Sequence, residues 1–527
     1  MKRILDTVHG YIMINDELFY HIIDTRLFQR LRRIEQTSIR SVYPSARHDR
    51  FIHSLGVYHI GSLIVDHLKK EMSAKNYWGE NETTMMVLYK SYLVACLLHD
   101  IAHAPFSHTF EEYYGTKDDL STLLRKEVGN ANFTSDLHYT NIKDAPNYHE
   151  YMSAYVAHKE FANGMRAMQL DSEFVVRMIT GVFYNKEKST HQIHNCLISL
   201  LHGKIIDADR LDYACRDVWA SGYSTSSIDL RRLVSAIHFE KNSDNEYVVC
   251  FESNSLNEIE GVLNVKDFQQ KYVIHHHVIA YEQWLLVQAV EAMAKHMYPT
   301  IQSSIEATRK IISKEAILKK VKIHTRNNEL LIQNISDDDL IFLLKQVPKN
   351  TYYEQWASRK YTHGALWKSR DEFFHYFPNV DVTKDLKHAD FEHNVKEALC
   401  VDGTLTESDI IIIPREFKKK VRLESLYLLV SNDVVRYTDI HHDAIDSLDN
   451  QTFYYVFIPK GNMDRDEWQQ YKKKQINKLK EVMIELYPPK LQNEDQKDVV
   501  DKPRKVRLHK KTVLLKEVPI YPDKDNG

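Results

Sequence analysis

The stretch Met85–His103 is strongly apolar, yet it carries an ionisable pair near its end, where Leu97–His103 reads LLHDIAH. Leu93, Val94, Leu97, Leu98 and Ile101 recur at helical spacing and predict a buried helix that Pro105 terminates. A carboxylate at Asp100 in such a helix is costly to desolvate unless it is paired or coordinated. The chain must therefore fold so that other polar groups converge on His99 and Asp100. The same dipeptide recurs at His48–Asp49 and His442–Asp443 without that apolar setting, and the latter pair reads as surface.

The rest of the chain is consistent with a helical scaffold. Its 15 glycines and 13 prolines among 527 residues are roughly half the usual share, which leaves few tight turns. Helical spacing marks Leu18–Glu35 (Ile22, Ile23, Leu27, Leu31, Ile34), His191–Val218 and Glu282–His296, and Ser336 caps a further pattern. Tyr114–Asn147 is polar and reads as an insertion or flexible loop. Beyond about residue 400 the texture changes. Asp409–Pro414, Leu426–Val430 and Phe453–Ile458 read as strands, and Asp464–Leu486 as a charged helix. A Lys- and Asp-rich tail from Pro488 holds one strand-like piece, Lys511–Val518. The expected fold class is mainly α, a helical bundle with a smaller α+β C-terminal region. The expected division is a main domain over 1–300, a helical extension over 301–400, the α+β region over 401–487 and a charged tail over 488–527.

A net charge of -3 supplies no general attraction to nucleic acid or anionic membrane. Five cysteines (Cys96, Cys196, Cys215, Cys250, Cys400), far apart and without a CxxC pair, argue against a thiolate zinc site or a disulfide framework. The basic runs Phe417–Arg422 and Lys502–Lys511 read as solvated faces. No apolar run resembles a signal peptide or a membrane span, so a cytoplasmic location and no membrane partner are expected.

Two other fragments carry matching chemistry. RFIHSLGVYHIG places His53 at the start of a helical pattern, and KIIDADRLDYACRD places Asp209 in another. On the second, Asp209, Tyr213 and Asp217 are four apart and form one polar stripe, a poor core face but a reasonable cleft wall. Two imidazoles and two carboxylates form a mixed N/O donor set that suits Fe, Mn, Co, Ni or Zn better than Ca. Four protein ligands with chemistry still to be done tilt the expectation toward a five- or six-coordinate ion such as Mn or Fe.

In order, DTVHGYI, DTRLFQRLRRIEQ, YPSARHDRFIHSLGVY, LLHDIAHAPFSHTFEE, HEYMS and IIDADRLDYACRD resemble the signature stretches of the HD-domain phosphohydrolases. Within that superfamily they are most similar to the deoxynucleoside triphosphate triphosphohydrolases, in particular the HD module of the sterile-alpha-motif/HD-domain dNTPases. A sterile-alpha-motif domain itself is not expected, and residues 1–300 become the HD phosphohydrolase domain. The resemblance implies hydrolysis of dNTPs to deoxynucleoside and inorganic triphosphate. It implies a divalent transition metal (Mn, Fe or similar) on His53, His99, Asp100 and Asp209, with Mg accompanying the substrate. It assigns His103, Glu111 and His149 to catalysis, with Glu111 standing where the family has Asp. It assigns Arg50, Arg210 and Tyr213 to the triphosphate, Gln36 and Asp217 to the 3′-hydroxyl, and Tyr281 to the 2′ side of the sugar. His275–His277 stand where the family has other basic residues. Asp24, Gln29 and Arg32 match part of a guanine-nucleotide regulatory site, whereas Leu5 and Tyr11 stand where polar contacts belong. An activating nucleotide and a homo-oligomer, dimer or tetramer, are implied partners.

The residues themselves fit these roles. Arg50 is three positions before His53 and so shares its helix face, and a guanidinium fork suits phosphate. His149 suits a general acid. Two competing readings are another HD-type nucleotide phosphohydrolase (an NTPase, nucleotidase or phosphodiesterase) and a nucleic-acid-binding protein on an HD scaffold.

Overall fold

Asp49 starts the longest helix among the described residues. Its side chain accepts the Ile52 amide at 2.9 Å, and the helix runs Arg50–Met72. Two glycines on that helix let its neighbours approach. A Cβ on Gly61 would lie 2.9 Å from Cys96 Sγ, so Gly61 sets the crossing with the Glu82–Leu98 helix. A Cβ on Gly56 would lie 1.9 Å from Asp212 Oδ1, so Gly56 admits the Ala208–Ser221 helix. These two close approaches bring the three polar motifs of the sequence to one place.

The computed structural model describes residues 1–223, 228–324, 329–378, 388–417, 423–440 and 451–486. The tail, its strand-like piece Lys511–Val518, the Lys502–Lys511 run, the basic part of Phe417–Arg422 and the pair His442–Asp443 lie outside the described residues. The architecture is mainly α with small sheets. No helix among the described residues is long and apolar enough to cross a membrane.

Several helices differ from their sequence patterns. The apolar helix stops at Leu98, not at Pro105, and His99–Ala102 form turns, because the His99 ring bonds back to the Cys96 carbonyl at 2.9 Å. Leu18–Glu35 is broken into short pieces, with Thr25 capping a fresh start at Arg26–Arg30. His191–Val218 divides into Gln192–Leu201 and Ala208–Ser221, the second capped by Asp207. Tyr114–Asn147 is no loop. Thr116 and Asp119 form a capping box for Lys117–Val128, and Asn130 caps Ala131–Asp144. Leu120 with Leu124, and Phe133 with Leu137, bury one side of each helix, a spacing the polar composition concealed. Glu282–His296 lies within a longer helix, His277–Met297. Ser336 caps Asp337–Lys345 through a capping box with Asp339.

The sheets are antiparallel hairpins with one parallel joint. Lys2–Asp6 pairs with Gly10–Ile14, a hairpin without an obvious sequence signal. Ile237–Lys241 pairs with Tyr247–Glu252, and the latter pairs in parallel with Tyr427–Val430 through Cys250↔Tyr427. The expected C-terminal strands appear as Ile411–Phe417, Tyr427–Val430 and Gln451–Pro459, followed by the Arg465–Leu486 helix. One core runs from Ile12 through Leu344 and takes in Leu426, Leu428 and Tyr437. A second gathers Ala280, Tyr281 and Leu285 with apolar residues from Ala365 to Met483.

Candidate metal centre

The helix starting at Arg50 supplies His53, the turn after Leu98 supplies His99 and Asp100, and the helix starting at Ala208 supplies Asp209. Their donor atoms converge. His53 Nε2 lies 3.0 Å from Asp209 Oδ1, 3.3 Å from His99 Nε2 and 3.5 Å from Asp100 Oδ2. His99 Nε2 lies 3.4 Å from Asp100 Oδ2 and 3.6 Å from Asp209 Oδ1. His53 and Asp100 are buried, whereas the Asp209 side chain is 37% exposed and is the open side of the cluster.

The far nitrogen of each imidazole is held. His53 Nδ1 donates to Asp212 Oδ2 at 2.7 Å, and His99 Nδ1 to the Cys96 carbonyl at 2.9 Å. With those positions held, the two Nε2 atoms face each other and two carboxylate oxygens, whose negative charge raises both imidazole pKa values against burial. Four electron-rich atoms at this spacing fit a divalent cation, since donors ~2.1 Å from one centre lie roughly 3.0–3.4 Å apart. The donor set therefore fits a transition metal.

Arg50 is placed differently from a phosphate hand. It is buried, and its Nη1 donates to Asp100 Oδ2 at 2.6 Å, its Nε to Ser107 Oγ at 3.0 Å and its Nη2 to the Gln36 carbonyl at 3.1 Å. Its fork is spent on orienting Asp100. Burial raises the Asp100 pKa, but Arg50 and His99 outweigh it and keep the carboxylate ionised. Arg210 and Tyr213 stay half-buried, with Arg210 Nε donating to the Tyr213 hydroxyl at 3.3 Å and its Nη1 to the Ile205 carbonyl.

Beside the cluster sits a second set. His103 Nδ1 is 2.6 Å from Glu111 Oε1 and its Nε2 is 3.0 Å from Asp100 Oδ1, both off the hydrogen-bonding line. His149 Nδ1 contacts Glu111 Oε2 at 3.1 Å, and the His149 ring stacks on His103 at 4.1 Å between centroids. The two imidazoles differ in charge. Burial and Arg50 push His103 down to about 4, so it is neutral. Burial also disfavours charge on His149, but Glu111 overrides it and lifts the pKa to about 9. Glu111 itself stays ionised: burial raises it, and His149 and His108 outweigh burial. His108 Nδ1 is 3.1 Å from Glu111 Oε1 on an exposed side chain.

Gln36 and Asp217 line the same side of the fold. Asp217 Oδ1 is 2.8 Å from His48 Nε2, and the buried Gln36 Oε1 has no hydrogen-bond partner. Asp24 and Arg32 are exposed on another face, where Arg32 donates to Gln29 Oε1 at 2.8 Å and covers the Phe51 ring at 3.5 Å. Tyr281 is not brought to the cluster. It is 2% exposed in the second core, wrapped by Trp284, Tyr361 and Phe457, so no ring face is left for a sugar. His275–His277 likewise meet the C-terminal strands, with the Tyr455 hydroxyl donating to the His275 carbonyl at 2.7 Å.

Sequence reasoning missed a supporting layer. Asp212 Oδ1 is 2.6 Å from His9 Nε2, and Arg216 donates to Asp212 at 2.8 Å and to Asp6 at 2.9 Å. His9 and Asp6 come from the N-terminal hairpin, inside the DTVHG motif, and Asp212 is three residues after Asp209. From the other side, Asp337 accepts the Phe106 amide at 2.7 Å and the Glu35 amide at 2.8 Å. Arg30 bridges the His103 and Ile335 carbonyls at 2.8 and 2.6 Å. These contacts pin the loop in which Phe106 and Ser107 take left-handed backbone angles.

A family model for the HD domain matches residues 50–213, the stretch that holds all four donors. An uncharacterized protein of Bacillus subtilis, YwfO, is 25% identical over 300 residues, 56% of this chain and 57% of that protein. A protein of Dictyostelium discoideum named deoxynucleoside triphosphate triphosphohydrolase SAMHD1 homolog is 25% identical over 371 residues, 68% of this chain and 62% of its own length. The chain thus spans under two thirds of the length of these two relatives. A solved structure of a hypothetical protein from Aquifex aeolicus shares the fold at a TM-score of 0.56 and 20% identity, over 91% of this chain and 99% of that one. An HD domain implies a metal-dependent hydrolase. Residues 50–213 thus form an HD domain, and the chain is similar to a protein named as a deoxynucleoside triphosphate triphosphohydrolase.

Proposed function

We propose that the chain hydrolyses dNTPs to deoxynucleoside and inorganic triphosphate. The observation that carries this reading is the two-His, two-carboxylate cluster lying directly beside the stacked His103 and His149 rings and Glu111. His53, His99, Asp100 and Asp209 would hold the metal. When bound, a divalent ion neutralises charge on phosphate and lowers the pKa of water. Arg50 fixes Asp100 and leaves the triphosphate to Arg210 and Tyr213. His149 holds its proton through neutral pH because Glu111 lies against it, and it delivers that proton to the leaving 5′-oxygen. His103, kept neutral by burial and Arg50, does not compete for that role. Gln36 Oε1, buried and without a partner, is an acceptor for a sugar hydroxyl, with Asp217 on the same wall.

On this reading Mn, Fe or a similar ion serves the centre, Mg travels with the nucleotide, and an activating nucleotide and self-assembly remain part of the proposal. The test is metal analysis followed by incubation with four dNTPs and four NTPs, singly and mixed. Release of intact triphosphate from dNTPs alone supports the reading, and stepwise release of phosphate overturns it. The mixture reveals activation, because a nucleotide that is no substrate then accelerates turnover of another.

A further inference from the structure

Away from the HD centre, the far end of the Arg50–Met72 helix carries a second set of nitrogen and carboxylate donors. His67 and Glu71 are four residues apart and share one helical face. That face packs on the Ile237–Lys241/Tyr247–Glu252 hairpin. The register His238↔Cys250 puts Glu252 two residues further along its strand, so His238 and Glu252 are diagonal neighbours on one face of the sheet. His238 Nδ1 is 2.7 Å from Glu71 Oε1, and its Nε2 is 3.2 Å from Glu252 Oε1. His67 Nε2 is 2.9 Å from the Ile237 carbonyl, a contact that orients the ring. One ligand atom each from His67, Glu71 and His238 lies within 4.8 Å of the others. Glu71 Oε2 is buried with no hydrogen-bond partner. That orphan oxygen, on a carboxylate set beside two imidazoles, is what a cation would satisfy.

We propose that His67, Glu71 and His238 form a second site for a divalent transition ion of the Zn or Co type, with Glu252 holding the other nitrogen of the His238 ring. Two imidazoles and a carboxylate are donor chemistry such ions prefer. The consequence is mechanical. The ion clips the metal-bearing helix to a hairpin whose second strand pairs with Tyr427–Val430, so one bound ion ties the HD bundle to C-terminal sequence.

The experiment uses the full chain, stripped by chelation and dialysed against Co²⁺. Co²⁺ content and visible absorption are read for the parent, His67→Gln, Glu71→Gln and Asp209→Asn. The expected result is that His67→Gln and Glu71→Gln each bind about one ion fewer than the parent, while Asp209→Asn loses a different ion and keeps the one they lose. Glu71→Gln preserves volume and decides the question if His67→Gln does not fold. Unchanged Co²⁺ content and an unchanged spectrum in folded Glu71→Gln overturn the proposal. Loss in Glu71→Gln but none in Asp209→Asn supports this second site and counts against the HD centre, so the two readings fail separately.

Discussion

His53 and Asp212 are joined by a 2.7 Å hydrogen bond from Nδ1 to Oδ2, in a setting where both side chains are wholly buried. The bond fixes the imidazole with Nε2 toward the donor cluster. Asp212→Asn keeps the volume but removes the acceptor that the ring's N–H needs. Metal affinity is expected to fall ~10–100-fold. Competition against a chelator of known affinity measures it, and unchanged affinity would remove Asp212 from the support of the centre.

Asp209 is the donor with least structural work to do, because its side chain is the exposed one and its partners are the two imidazoles. Asp209→Asn is expected to abolish hydrolysis while leaving the urea midpoint nearly unchanged. Turnover that survives in this variant at saturating metal rules out the assigned ligand set.

His149 must carry a proton in order to give one. Its pKa of about 9 keeps it charged at neutral pH, so the rate is expected to fall as pH rises through about 9. Glu111→Gln removes the anion that opposes burial, so the pKa drops and the alkaline limb moves to lower pH. His149→Ala is expected to lose ~10²–10⁴-fold in kcat. A pH–rate profile of Glu111→Gln that overlays the parent's would contradict this pairing.

The donor cluster was readable because a charged dipeptide in an apolar stretch requires partners, and few fragments of the chain could supply them. Its support was not readable. Asp212 and His9 meet across 203 residues, and neither bears a local mark that separates it from a surface residue. Asp337 has the same difficulty: its neighbours announce an ordinary capped helix, while the carboxylate itself bonds amides 231 and 302 residues away. The Lys117–Val128 and Ala131–Asp144 helices were hidden because each buries only a narrow stripe beneath a polar exterior.

Glu35 and Asp337 lie together beside the Phe106 loop, and both carboxyls sit above their ordinary range, at about 8 and about 7, chiefly through burial. A carboxyl raised in the folded state contributes stability that is complete below its unfolded pKa and lost as pH rises through the folded one. Stability is therefore expected to decline between pH ~4.5 and ~8. Glu35→Gln should flatten part of that decline. Urea denaturation across the window tests it, and an equally steep decline in the variant is the adverse result.

Tyr281 belongs to the second core, with its hydroxyl 3.3 Å from His363 Nδ1. Tyr281→Ala is expected to destabilise the chain by ~3–5 kcal/mol and to leave the ratio of dNTP to NTP turnover unchanged. A variant that admits ribonucleotides without loss of stability would return this side chain to the sugar.

The parallel joint at Cys250↔Tyr427 makes the middle of the chain and its C-terminal strands interdependent. Deleting everything after residue 400 would strip the Tyr247–Glu252 strand of its neighbour and leave a row of unpaired amides and carbonyls open to solvent. Such a shortened protein would be sticky rather than merely smaller, so the catalytic bundle is best purified with its C-terminal strands attached.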